Sequence, residues 1–482
     1  TLAHTIMFAF EGIPAVYIQN FIGSDNDYLK VKKTGINRSI NRKNWDYTDL
    51  FKKLDSKSSV NFKIYDALNK INIIRKKQKA FHPNATQFTL QLNDDFFGLW
   101  RQSIDRSQSI FCISNLNSMD GVPYVSQPLV ETGETFVYRF PVNETGTYWY
   151  HAHNKAWEHV ARGLYGPLII TSTSNNSLGR RDILIVADDW LMNKNNQVDE
   201  ESFGSLMHWS HAGRYGNRLS INGKFSPNIE IPSYGPLRLR FINTANARIL
   251  NFSLLDNKSL DIIAIDGISC KSFQAKKIIL GPAQRVDILV EDSSQLKSLF
   301  ELSNKEPLKV ADFIPTDLVI EDHLNLIDPI IHHEVPPLLT PKIIEIHMQG
   351  GAMGNLSSAI FEGEKKELRD LALDHSKLWA FNGHIGNYDF QIAKVNLGDL
   401  IILKIWNDTN WPHSMHLHGQ HFWVNSKEFD GLNRFLLRDT YLMERGEKAK
   451  FIFKANNPGD WLFHCHMLEH HASGMGGVIS VV

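Results

Sequence analysis

Cysteine is scarce in this chain of 482 residues. Only Cys112, Cys270 and Cys465 occur, an odd number at wide spacing, which excludes a disulfide framework as the source of stability. Long apolar runs are missing too. None reaches the ~18 residues that a membrane-spanning helix needs, so no membrane span is expected. A surplus of charge of one sign is absent as well. Lys and Arg number 51 against 52 Asp and Glu, and this balance gives no reason to expect a nucleic-acid partner. Basic residues outnumber acids only locally, between Lys30 and Lys79, where they read as a solvated helix face. The first residues, "TLAHTIMFAF", carry no basic leader and do not read as a signal peptide. Low-complexity segments and short-period repeats are also lacking.

What is present falls into two textures that meet near residue 118, within a length that suggests about three domains. Residues 1–80 read as helical and loop-rich, with Val60, Ile64, Leu68, Ile71 and Ile74 at helical spacing inside Leu54–Lys79. Short alternating runs follow, "TQFTLQL", "FFGLWRQ" and "SIFCISNL", and read as strands. From Gly121 onward almost everything is strand-like: "TFVYRFPV", "GPLIIT", "DILIVADDW", "LRLRFINT", "VDILVED", "KIIEIHM", "LIILKIWND" and "AKFIFKA" are punctuated by Gly, Pro, Asn and Asp. That spacing predicts β-sandwiches, with boundaries near 174–180 and 326–341.

Three histidine clusters carry the chemistry. "HCHMLEHHASGM" places His464, Cys465, His466, His470 and Met475 together; "HSMHLHG" gives His413, His416 and His418; "YWYHAHNKAW" gives His151 and His153. Two imidazoles, a thiolate and a weak thioether make a blue-copper electron-transfer site, and His413, Cys465, His470 and Met475 supply that set. Thiolate and imidazole also suit zinc; the methionine at this offset favours copper. Side chains alternate faces along a strand, so His464 and His466 point away from Cys465 and reach a second metal centre. His151 with His153, and His416 with His418, likewise project two imidazoles in one direction. The other histidines have plainer readings: His208 and His211 as loop residues, His332 and His333 as linker, and His347, Met348 and Met353 as strand-end packing. Cys112 and Cys270 read as buried thiols.

On these motifs, together with "MDGVPYVSQ", "LSINGK" and "GPAQRVDILV", residues 119–482 resemble a multicopper oxidase of the laccase and copper-resistance type. The resemblance implies a mainly β protein of cupredoxin-like β-sandwich domains, with a remnant of the first at 119–176, the second at 177–330 and the third, carrying the type-1 copper, at 331–482. It implies type-1, type-2 and type-3 copper centres. His413, Cys465, His470 and Met475 would hold the type-1 ion and His416 the type-2 ion. His151, His153, His418, His464 and His466 would serve the type-3 pair. Asp120 matches an acid that feeds protons to the cluster, with a turn-forming role before Gly121 as the alternative. Asp120 and Cys465 are thus the residues expected to act in catalysis. The implied reaction is one-electron oxidation of a phenol, a diamine or Cu(I), coupled to reduction of dioxygen to water. The alternative is a blue-copper electron carrier with an inactive oxygen site. Family resemblance places such a protein in the periplasm or outside the cell; oligomeric state is not legible.

One motif departs from the family. A further H-W-H-G, upstream of "MDGVPY", supplies one type-2 and one type-3 ligand in its members, and no H-x-H precedes His151 here. Six of eight cluster histidines remain, so the type-2 site is expected to be incomplete. In its place, "GIPAVYIQNFIGSDND", "TGINRSINR" and "RKKQKAFHPNATQ" resemble the C-terminal end of a sucrose-phosphorylase-like glycoside hydrolase of the α-amylase class. This implies an α/β fragment: the end of a (β/α)8 barrel over 1–80 and part of a small β-domain over 81–118, without catalytic carboxylates. The chain reads as a fusion with its seam at Asn115–Gly121.

Overall fold

A computed structural model describes residues 7–10, 12–24, 26–35, 39–40, 42–57, 59–90, 96–115, 122, 125, 129, 145–171, 181–254, 259–316, 335–337, 340–386, 388, 390–429 and 434–482. The chain forms two compact units, Thr1–Met119 with Leu129–Arg139, and Asp120–Pro128 with Phe140–Val482. Among the described residues no helix is long and apolar enough to cross a membrane.

The first unit contains helices Tyr28–Thr34, Tyr47–Asp55 and Val60–Lys77. The continuous helix suggested over Leu54–Lys79 is broken, because Ser59 is extended and its hydroxyl caps a new helix by accepting from the Phe62 N–H. The break leaves Val60 63% exposed while Leu68 is fully buried, so only part of the apolar spacing is used for packing. Strands Thr86–Leu90, Phe96–Gln102 and Ser109–Asn115 then form an antiparallel sheet in sequence order. Its buried Arg101 donates to the carbonyls of Ala9 and His82. The exposed His82 ring accepts from the Asn84 N–H at 3.2 Å.

The second unit is built of antiparallel-rich sheets. A six-stranded sheet has the order Ile268–Ala275, Leu260–Ile265, Arg285–Val290, Leu237–Asn243, Asp182–Trp190, Arg218–Ile221. A five-stranded sheet (Ile278–Leu280, Leu250–Ser253, Ser298–Glu301, Leu308–Thr316, Asn228–Pro232) shares one apolar core with it. The strand "LRLRFIN" shows why. Leu237, Leu239 and Phe241 enter the core, while the alternating Arg238 and Arg240 reach Asp287 and Asp182, both at 2.6 Å. A second six-stranded sheet (Trp379–Phe381, Lys342–Gly350, Leu400–Asn407, Lys448–Lys454, Phe422–Ser426, Arg434–Arg438) encloses another core. Its companion has five strands: Gln391–Val395, Gly476–Val481, Gly459–Cys465, His413–Leu417 and Thr440–Met443. Strands Gly146–His151 and Tyr165–Ile170 pair separately. Short helices interrupt the strand-rich texture at Ala156–His159, Leu206–Ser210, Leu368–His375 and Leu468–Ala472. His208 therefore sits on a helix, where a loop is expected from sequence.

Candidate metal centre

The register of the last sheet brings the histidine motifs together. In the antiparallel pair His413–Leu417 and Gly459–Cys465, Met415 faces Cys465 and His416 faces His464. On the other side His464 faces Gly476, where a β-carbon would lie 2.9 Å from the His471 ring and 3.2 Å from the His464 Cβ. Only glycine admits that approach.

The first constellation is His413, Cys465 and His470, all buried, whose ligand atoms lie within 4.8 Å of one another. His413 Nδ1 stands 3.4 Å and His470 Nδ1 3.8 Å from the Cys465 sulfur. Outer hydrogen bonds fix both rings. The Thr409 hydroxyl donates to Asn407 Oδ1 at 2.7 Å, so its oxygen is left to accept the His413 Nε2–H at 2.8 Å. His470 Nε2–H donates to the His211 carbonyl at 2.6 Å. Each tautomer thus leaves an Nδ1 lone pair turned inward, and the two Nδ1 atoms stand 3.1 Å apart. Two inward lone pairs and a thiol fit a soft cation. Trp379 closes the site, its ring 5.0 Å from His413 and 4.4 Å from His470. Met475 is fully buried in the same core, and its carbonyl accepts from the Cys465 N–H at 3.0 Å. Burial pushes the metal-free Cys465 thiol up to about 12; a bound cation would stabilise the thiolate instead.

The second constellation gathers His151, His153, His416, His418, His464 and His466. Ring-centroid distances of 4.8 to 5.8 Å link them into one cluster. His151, His464 and His416 donate through Nδ1–H to the carbonyls of Ala152, Cys465 and Asp439, each at 2.9 Å, and so present Nε2 lone pairs. His464 Nε2 meets His418 Nε2 at 3.1 Å, and His151 Nε2 meets His466 Nε2 at 3.1 Å. Facing nitrogens at that distance require a proton or a cation between them. Both ring nitrogens of the buried His153 lack a hydrogen-bond partner, as does His466 Nδ1. Burial, the largest cause, holds all six imidazoles below the ordinary histidine value, His151 at about 4, which keeps them neutral as metal ligands.

Buried charges brace this cluster. Asp439, whose carbonyl receives His416, takes two hydrogen bonds from Arg285 at 2.8 and 2.7 Å. Arg285 Nε donates to the Thr147 carbonyl at 3.1 Å, and the Thr147 hydroxyl donates to Asp287 at 2.8 Å. The strand that ends in His151 is thereby tied to the first sandwich. A cavity of about 190 Å³ lies beside the cluster, with His153, His471, Lys377 and Tyr388 in its wall.

The eight histidines and Cys465 expected as metal ligands fall into these two groups, Met475 lies buried in the core of the first, and Asp120, His332, His333 and the seam after Asn115 lie outside the described residues. His211, taken as an ordinary loop residue, contributes the carbonyl that orients His470. His347 and Met348 are packing residues, His347 stacked 4.4 Å over Trp406 and Met348 fully buried, while Met353 is 74% exposed. His471, next to His470 in the motif, borders the second group, its ring 4.4 Å from His464 and 5.5 Å from His153. Thr409 and Trp379 carried no signal in the sequence, and Arg285 stood inside the quoted "GPAQRVDILV" without its role being legible, since these contacts form only in the fold.

Residues 111–175, 181–300 and 364–482 match three family models, each described as multicopper oxidase. A multicopper oxidase of Staphylococcus aureus is 28% identical over 75% of this chain and 74% of its own length. An iron transport multicopper oxidase of Candida glabrata is 24% identical over 75% of the chain, which spans 65% of that relative's length. Among solved structures, a laccase-like multicopper oxidase from an Ochrobactrum species superposes with a TM-score of 0.63, at 20% identity over 83% of this chain and 89% of that one. One from Pseudomonas thermotolerans gives 0.59 at 24% identity, over 76% and 83% of the two chains.

Proposed function

We propose, from the premise that this chain belongs to the multicopper oxidases, that it takes electrons singly from a small reducing substrate and delivers them to dioxygen. His413, Cys465, His470 and Met475 would hold the type-1 copper, and His151, His153, His416, His418, His464 and His466 the copper of the oxygen side. Copper, when bound, supplies one-electron redox chemistry at the thiolate and binding and reduction of dioxygen at the imidazoles. The observation that carries the reading is one short segment. Cys465 lies in the first constellation while His464 and His466, its chain neighbours, lie in the second. The His464 Nδ1–H also donates to the Cys465 carbonyl, adding a hydrogen-bonded route beside the covalent one.

The residues of the chain do the rest. The His211 carbonyl and Thr409 hold the two imidazoles, and burial of His413 and His470 keeps substrate off the ligands, so electrons must cross the covering residues. The His211 ring, 5.3 Å from Trp411, is part of that cover. Asp120 would donate protons for water formation. Phenols, diamines and Cu(I) are the substrate classes, and a relative's iron transport name adds Fe(II). Oxygen uptake by copper-loaded protein with a simple phenol tests the proposal; full copper loading without turnover overturns it. The second reading, an electron carrier with an inactive oxygen site, draws on the absent H-W-H-G and is supported instead if the blue site cycles without oxygen uptake.

The finer divisions belong to the same proposal: cupredoxin-like segments at 119–176, 177–330 and 331–482, after a glycoside-hydrolase-like fragment at 1–80 and 81–118 joined at the seam Asn115–Gly121. A periplasmic or extracellular setting, where copper is handled, suits the reading.

A further inference from the structure

We infer that His153, His418 and His464 form a self-sufficient site that holds one metal ion tightly, whereas the remaining oxygen-side positions are labile and filled only while free copper is present. The six imidazoles do not share ligands evenly. His153, His418 and His464 bring three nitrogens within 4.8 Å of one another, a complete set with one position left open. His151 and His466 face each other as a pair, and among the described residues no third imidazole completes them. His416 stands as a single donor whose other nitrogen is committed to the Asp439 carbonyl. Two donors or one leave a cation largely dependent on solvent, and lost ligand shells weaken metal binding steeply.

The three-histidine set is also the preorganised one. His418 and His464 are fixed 3.1 Å apart by neighbouring strands of one sheet, and both ring nitrogens of the buried His153 lack partners. Of the three, His153 also lines the cavity of about 190 Å³. The inference rests on the reading above for the identity of the ion as copper. It departs from a uniformly bound trinuclear cluster.

The test uses the full chain loaded with Cu(II) and then desalted against a mild chelator, with copper counted by atomic emission and the ions read by electron paramagnetic resonance and the blue absorption. Two coppers per chain are expected, one blue and one imidazole-bound, EPR-active signal that azide shifts. His153→Ala and His418→Ala should each lower the count to one and keep the blue band, which also shows that the fold survives; His151→Ala should leave two. Four coppers surviving the chelator, a single copper, or equal loss in His151→Ala and His153→Ala would overturn the inference. Absence of the blue band with the azide-sensitive signal retained would instead overturn the type-1 reading alone.

Discussion

The two metal constellations of the second unit are built to different standards. The first takes His413, Cys465 and His470 from one sandwich, with Thr409 and the His211 carbonyl fixing the tautomers. The second draws His151 and His153 from a separate two-stranded piece and the rest from the last sheet, and depends on Arg285 to join them. The first site keeps its three ligands together but still takes the carbonyl that orients His470 from His211, in a distant part of the chain. A site assembled across segments depends on the contacts that join them, here those of Arg285 with Thr147 and Asp439.

Four measurements bear on this contrast. Cys465→Ser should abolish the blue absorption completely while leaving the azide-sensitive copper at His153, His418 and His464. Loss of both signals would mean the two regions are not separable. Arg285→Met comes next, since it leaves Asp439 without its buried counter-charge. Chemical denaturation should show a loss of about 3–5 kcal/mol, and metal analysis should show weakened oxygen-side binding with the blue band kept.

Thr409→Val removes the acceptor for His413 Nε2–H and should weaken type-1 copper by roughly 10–100-fold in a competition titration, with the oxygen side unaffected. The metal-free chain should also respond to pH. The buried imidazoles titrate below the ordinary 6.5, His151 and His470 at about 4, so the unfolded chain binds the extra protons. Stability is then full above pH 6.5 and falls as the pH drops towards 4, by about 1.4 kcal/mol per pH unit for each such group. Denaturation midpoints that stay flat across that range would contradict the burial of these rings.

How much of this was legible in the sequence depends on range. Cys465 and His470 could be read together because they lie five residues apart along one strand, turn and helix, whereas His413, 52 residues from Cys465 on another strand, was legible only through its own histidine motif. The alternation in "LRLRFIN" exposed its strand for the same reason. The carbonyl that orients His470 lies 259 residues away at His211, and Arg285 meets Thr147 across 138 residues, so neither leaves a pattern in a window of sequence. The break at Ser59 was missed because apolar spacing continues through a cap that only hydrogen bonding reveals.

Anomalous diffraction at the copper edge from crystals of the copper-loaded, chelator-washed chain tests the central asymmetry most directly. Two peaks are expected, one among His413, Cys465, His470 and Met475 and one among His153, His418 and His464; a full group of three peaks amid the six oxygen-side imidazoles would contradict this.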